Sequence, residues 1–269
     1  MSCSPLDVML LTIDSGNTNI VFAVYDEMDR QRGCWRASTD AHRTADEYAV
    51  WLTQLMTLQD LAPDDIDSSI IANVVPATMF ALATLCTRYF ETEALMIGDP
   101  AVELGLEVRI KRPEQVGVDR LVNAVAAFAT YGGPLIVIDI GTATTFDMVG
   151  SDGAYEGSVI APGLNLSMEA LDRAAAKLPR ISVKRPRQVI GQDTVSAMES
   201  GAYWGYVGLI EGLVARIKTE DGRAMKVIAT GGLAPLFAKG ADVIDTIDQD
   251  LTLRGLLKIY RANRPSPAA

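Results

Sequence analysis

LTIDSGNTNIVFAVYD, residues 11–26, is the stretch that decides the fold. An apolar strand runs into Asp14, passes the small polar residues Ser15, Gly16, Asn17 and Thr18, and is followed at once by a second apolar run. Two short runs of this kind around a Gly/Asn-rich break read as a pair of strands joined by a tight turn. A buried strand seldom ends on a bare carboxylate without a use for it. The phrase recurs as LIVIDIGTATTFDMV, residues 135–149, where Asp139 closes a strand and Gly141 and Thr142 make the turn.

Working outward, each copy opens an α/β series. After the first come a strand at 35–39, a helix at 44–59 started by the capping box Thr44 and Glu47, a strand at 68–76 stopped by proline, a helix at 77–90 and a strand in ALMIGD. The second is preceded by a helix at 120–132 that ends in two glycines. It is followed by the turn Ser151-Asp152-Gly153, a strand to Gly163, helices at 165–177 and 193–219, a strand at 226–232 and a helix at 251–263. The expected architecture is α/β, a duplicated fold with a cleft between its halves. The halves run over 1–115 and 116–263, and RPSPAA (264–269) reads as a disordered tail.

The bulk properties bound the function. The chain has 269 residues, about half of them hydrophobic, with a net charge of -10. An acidic chain without a basic track is a poor match for nucleic acid, whose phosphates are held by clustered Lys and Arg. Cys3, Cys34 and Cys86 form no paired spacing, which fits a reducing cytoplasm better than a disulfide framework or a zinc site. No apolar run reaches membrane-spanning length, and the first strand lacks the basic flank of a signal peptide. The expectation is a cytoplasmic protein with no membrane partner.

The chemistry lies in three places. A glycine at a strand-to-strand turn lets backbone N–H groups meet phosphate oxygens, with Asn17 and Thr18 adding donors, and Asp14 can orient a hydrated Mg²⁺. The same residues also make an ordinary Asx-type hairpin turn. In the second copy Thr142 can donate to a phosphate and Asp139 can bind a cation; two such turns suit a nucleoside triphosphate. Neither a P-loop nor a G-x-G-x-x-G fingerprint is present. At Gly117-Val118-Asp119-Arg120 a helix begins, and Asp119 can accept the proton of a hydroxyl that attacks a γ-phosphate. Taken alone, that tetrapeptide reads more simply as an N-cap with a surface ion pair. Gly201, Gly205, Gly208 and Gly212 line one face of a helix, which implies close packing by this chain or by a second subunit.

Together these segments resemble type III pantothenate kinase, of the acetate and sugar kinase/Hsp70/actin superfamily. The resemblance rests on DSGNTNIV (14–21), RTADEY (43–48), VVP (74–76), EQVGVDR (114–120), DIGTATTFD (139–147), VIAPG (159–163), AAKLPRI (175–181), GQDTVSAMESG (191–201) and VIATGGLA (227–234), in the family's order over nearly the whole chain. It implies paired ribonuclease H-like (actin-like ATPase) halves and a nucleotide cleft. It also implies phosphorylation of pantothenate by ATP, the first step of coenzyme A biosynthesis.

By the same resemblance Asp14, Ser15, Gly16, Asn17, Thr18, Asn19, Ile20, Val21 and Thr142 contact ATP. Gly117, Val118, Asp119, Arg120 and Thr194 contact pantothenate, with Asp119 as general base. Asp139 holds the monovalent cation, K⁺ or NH₄⁺, beside Mg²⁺ carried with ATP, and the enzyme is a homodimer. Four positions depart from the family's common pattern: Asn73, Ile110, Val118 and Ser158. The rival readings are a non-catalytic regulatory relative acting on transcription through a protein partner, a metal-dependent nuclease on the ribonuclease H-like fold, and a sugar or acetate kinase.

Overall fold

The structure is a computed structural model that describes residues 9–174, 179 and 181–264. Residues 175–177 of one expected helix, all of AAKLPRI but Pro179 and Ile181, and all of RPSPAA but Arg264 lie outside the described residues.

The strands are β1 (Met9–Ser15), β2 (Asn19–Tyr25), β3 (Gln31–Ser38), β4 (Ile66–Asn73), β5 (Leu95–Met96), β6 (Leu135–Ile140), β7 (Ala143–Val149), β8 (Tyr155–Pro162), β9 (Lys226–Thr230) and β10 (Thr246–Ile247). The helices are α1 (Ala45–Thr57), α2 (Met79–Tyr89), α3 (Val118–Tyr131), α4 (Leu164–Ala174), α5 (Thr194–Asp221), α6 (Ala234–Phe237) and α7 (Leu251–Asn263).

Two sheets result, and they have one topology. The first runs β3-β2-β1-β4-β5 and the second β8-β7-β6-β9-β10. In each, the central strand pairs antiparallel with the strand that follows it and parallel with the strand on its other side. The duplication expected from the two Asp phrases is therefore present strand for strand.

The chain forms two compact units. Of the described residues, one gathers those up to Gly105, Glu114–Ala126 and those from Thr252 onward; the other gathers Leu106–Pro113 and those within Ala127–Leu251. The chain thus passes between units more than once, and α3 contributes to both.

In the first unit the alternation of β1 buries Leu11 and Ile13 with Phe22, Trp35, Tyr48, Leu52, Leu82 and Leu85 in one core, while Leu10 and Thr12 are buried on the opposite face. The capping box of α1 forms as expected: Glu47 N–H donates to Thr44 Oγ1, and Thr44 N–H donates to Glu47 Oε2 at 2.8 Å. Burying both faces of the central strand fixes its register, because a one-residue slip would turn Asp14 inward.

In the second unit the core is Ile136, Ile138 and Ile140 of β6 and Phe146 of β7 packed against Tyr203, Tyr206, Val207, Ile210 and Val214 of α5. Spacing of that kind along α5 turns one face of a long helix inward. The opposite face carries the glycines. Gly201, Gly205 and Gly208 are exposed, and a Cβ placed on any of them meets nothing within 4 Å. Close packing of these glycines by the chain itself is not found among the described residues.

Candidate active site

Asp14 is the penultimate residue of β1 and half-buried, opposite Val21 on β2 and level with Ala72 on β4. The turn after it is held from three sides. Gly16 N–H donates to Asn19 O at 3.0 Å, so this donor closes the turn instead of pointing outward. Thr39 Oγ1 donates to Gly16 O at 2.6 Å, and Thr39 N–H donates to Thr18 O. Val74 N–H donates to Ser15 O.

Ser15 is buried, its Oγ sharing a 3.0 Å hydrogen bond with Thr78 Oγ1. Thr78 closes the 3₁₀ turn Pro76–Thr78, which Asn73 anchors by accepting from Val75 N–H at 2.7 Å. Ile20 is fully buried in the core and Val21 is half-buried, whereas Asn17, Thr18 and Asn19 are exposed. What the turn presents to solvent is therefore residues 17–19 on a rigid base.

Asp139 occupies the equivalent place in the second unit: penultimate in β6, half-buried, opposite Thr145 and level with Thr230. Gly141 N–H donates to Ala143 O, which makes this turn one residue shorter than the first. Thr142 is exposed at its tip.

Two glycines lie directly against it. Gly163, at the start of α4, donates its N–H to Thr142 O, and a Cβ there would clash with that same oxygen. Gly231 has φ +91°, and a Cβ on it would clash with Asp139 Oδ1. Both glycines lie in stretches singled out in the sequence, but their contact with the turn comes from chain far away and leaves no local trace. Behind the turn, Thr144 Oγ1 is hydrogen-bonded to Tyr206 of α5. Burial pushes the Tyr206 phenol above its usual range, so it stays protonated at neutral pH.

Gly117 precedes α3, and its carbonyl accepts from Arg120 N–H at 3.1 Å. Val118, Asp119 and Arg120 form the first turn and are half-buried, so this helix begins earlier than the 120 expected. Asp119 Oδ1 accepts from Arg120 N–H at 2.8 Å, and a Cβ on Gly117 would crowd it at 2.6 Å. A carboxylate at this end of a helix is favoured as the anion by the exposed N–H groups, and an anion is what can accept a proton.

Thr194 is the exposed first residue of α5, after the N-cap Asp193. Asp193 accepts from Ser196 N–H at 2.9 Å, and that hydrogen bond holds its carboxyl below the usual range. The first unit thus brings together the Asp14 turn, Thr39 and Asn73–Thr78 and also carries Asp119. The second brings together the Asp139 turn, Gly163 and Gly231 and also carries Thr194.

Both cation roles suit the donors present. Mg²⁺ keeps most of its waters and commonly takes one or two carboxylates plus phosphate oxygens, so a single Asp14 is sufficient. Among the described residues no group of three or more His, Cys, Asp or Glu is placed to hold a metal ion. Asp139 Oδ1 and the Ile140 carbonyl oxygen both face the spot that a Cβ on Gly231 would fill, and one carboxylate with a carbonyl oxygen suits a singly charged ion.

The pattern described as type III pantothenate kinase matches residues 10–216. A type III pantothenate kinase of Paramagnetospirillum magneticum is 66% identical over 255 residues, 95% of this chain and 98% of the relative. Among solved structures, a Campylobacter jejuni protein described as a candidate Baf family transcriptional activator superposes with a TM-score of 0.59 at 20% identity, covering 94% of this chain and 98% of that one. Component A of (R)-2-hydroxyglutaryl-CoA dehydratase from Acidaminococcus fermentans superposes with a TM-score of 0.56 at 12% identity, covering 95% and 99%. At such identities these two likenesses bear on the fold alone, the duplicated ribonuclease H-like architecture of the actin-like ATPases. The sequence match over almost the full chain bears on the reaction: this chain belongs to the type III pantothenate kinases, which phosphorylate pantothenate with ATP in coenzyme A biosynthesis.

Proposed function

We propose the following division of labour for that reaction. The observation that carries it is the repeated one: in two sheets of identical topology, the central strand ends on a half-buried aspartate and a Gly-containing turn. Residues 14–21 hold the phosphates of ATP through the solvent-facing part of the first turn, Asn17 to Asn19, and Thr142 donates to a phosphate from the second. Asp14 would hold the Mg²⁺ carried with ATP, the ion supplying positive charge against the phosphates. Asp139 would hold a K⁺ or NH₄⁺ ion, which would supply further positive charge.

Gly117, Val118, Arg120 and Thr194 position pantothenate. Asp119 accepts the proton of its hydroxyl as the oxygen bonds to the γ-phosphorus and the bond to ADP breaks. Most of the rate comes from positioning and charge, with one group taking a proton. The open glycine face of α5 supports a homodimer, and the need for ATP supports a cytoplasmic location.

The test is ADP release by purified protein with Mg-ATP and pantothenate, with and without KCl or NH₄Cl, beside Asp119→Asn. Turnover is expected to require pantothenate and a monovalent cation, and to fall by about 10²–10⁴-fold in the folded variant. An Asp119→Asn enzyme with near wild-type turnover would remove Asp119 from the role of base.

A further inference from the structure

Arg43 stands outside the machinery described so far, in a loop that grips the first turn. It is half-buried, and its guanidinium lies 5.2 Å from the centre of the Tyr48 ring. Among the described residues it has neither an ion pair nor a side-chain hydrogen bond. The nearby carboxylates act on it only through the field and are engaged elsewhere. Asp40 accepts from His42 N–H at 2.9 Å, and Glu47 completes the α1 capping box. An arginine with five donors, partly removed from water and without an acceptor, is a group waiting for an anion.

Its place in the chain says which anion. Thr39 is hydrogen-bonded to both Gly16 O and Thr18 O, across the back of the first turn. The next residues fold back at once, with Arg43 N–H donating to Asp40 O at 3.3 Å. A turn of that kind keeps the Asp40 and Arg43 Cα atoms within about 7 Å of each other, so the Arg43 backbone stays within reach of Thr39, and its long side chain can extend toward the turn that Thr39 holds. Stacking on Tyr48, itself fully buried against Phe22, pre-orders the guanidinium.

We propose that Arg43 is a phosphate-binding residue of the ATP site, its guanidinium donating to the phosphate oxygens held on the Asp14–Thr18 turn. This rests on the reading of that turn as the phosphate site. It adds a fixed cation where the phosphate loop of the first unit has none of its own: residues 14–21 contain no Lys or Arg.

The experiment compares wild type with Arg43→Met, which keeps an apolar stem over Tyr48, and with Arg43→Lys. Two readouts are taken: steady-state kinetics in ATP and in pantothenate, and the thermal shift produced by magnesium tripolyphosphate, which has no nucleoside and needs no acceptor. Arg43→Met is expected to lose about a hundredfold in kcat/KM for ATP with little change in the KM for pantothenate. It should also lose the tripolyphosphate shift while its unliganded Tm stays within about 2 °C of wild type. Arg43→Lys should recover part of both. If wild type fails to turn over pantothenate yet shows an Arg43-dependent tripolyphosphate shift, the anion role stands and the assignment of the acceptor falls. The proposal is overturned if Arg43→Met keeps the wild-type ATP kinetics and shift. It is equally overturned if Tm falls, both KM values rise together and Arg43→Lys is no better, since that is the signature of a packing role.

Discussion

Asp139 shows how the place of a single carboxylate can be set by a glycine from another strand. Gly231 lies at the end of β9, takes φ +91° and approaches Asp139 so closely that no Cβ fits, while the Ile140 carbonyl crowds the same spot at 2.7 Å. Gly231→Ala would impose left-handed backbone on a residue with a Cβ, at about 1–2 kcal/mol, and would also push the carboxylate aside. The chain should still fold, because the change falls at the rim of the sheet and not in its core. The expected result is a potassium activation curve displaced upward by about tenfold to a hundredfold, with a smaller change in the KM for ATP, read by titrating KCl at fixed Mg-ATP. A folded variant with the wild-type potassium curve would sever Asp139 from the cation.

At the scale of elements, the position of Asp119 depends on how α3 is braced. Helix α7 crosses it at Gly255, where a Cβ would clash with the carbonyl oxygen of Val122, and Thr252 Oγ1 donates to Asn123 Oδ1 at 2.7 Å. The far end of α7 is tied to the β2–β3 connection, with Arg261 donating to Asp29 Oδ1 and to Asp26 O. Gly255→Ala should therefore force the helices apart, cost about 1–3 kcal/mol and shift the first turn of α3 with Asp119, the base proposed above. Denaturant unfolding would report the first effect and kcat the second; an alanine variant as stable and as active as wild type would show that α7 does not brace α3.

The sequence foretells α7 over its full span and α1 with its capping box, since each has a long apolar period and clear ends. It places β5 within ALMIGD but says nothing of β10, which is two residues long, or of α6 and the Pro76–Thr78 turn, which are too short to show any period. The same contrast holds at the site. The turns that carry Asp14 and Thr142 and the helix start at Asp119 are legible because each is one contiguous phrase. Gly255 against Val122, Gly163 against Thr142 and Thr39 against the first turn are meetings of distant segments, which local pattern does not encode.

For the whole molecule the open question of assembly falls on α5. Its inward face, from Tyr203 to Ile217, is a continuous core, and its outward face from Gly201 to Gly208 is bare backbone. The three exposed glycines, Gly201, Gly205 and Gly208, cost about 1 kcal/mol each relative to alanine, so in a monomer they would be a liability with no return. A second copy packed against that face would change the sign, because small residues let two helices approach closely enough to exclude water along their length. Gly205→Leu separates the two cases. A Cβ there meets nothing within 4 Å in the chain itself, so a monomer should accept leucine and gain stability from better helix propensity. In a homodimer joined at this face the leucine would hold the copies apart. Light scattering after size exclusion is expected to give wild type at twice the chain mass and the variant at the chain mass. Turnover should fall with it if the pantothenate site draws on both subunits. A wild-type monomer, or a leucine variant that remains a dimer, would move the interface away from α5.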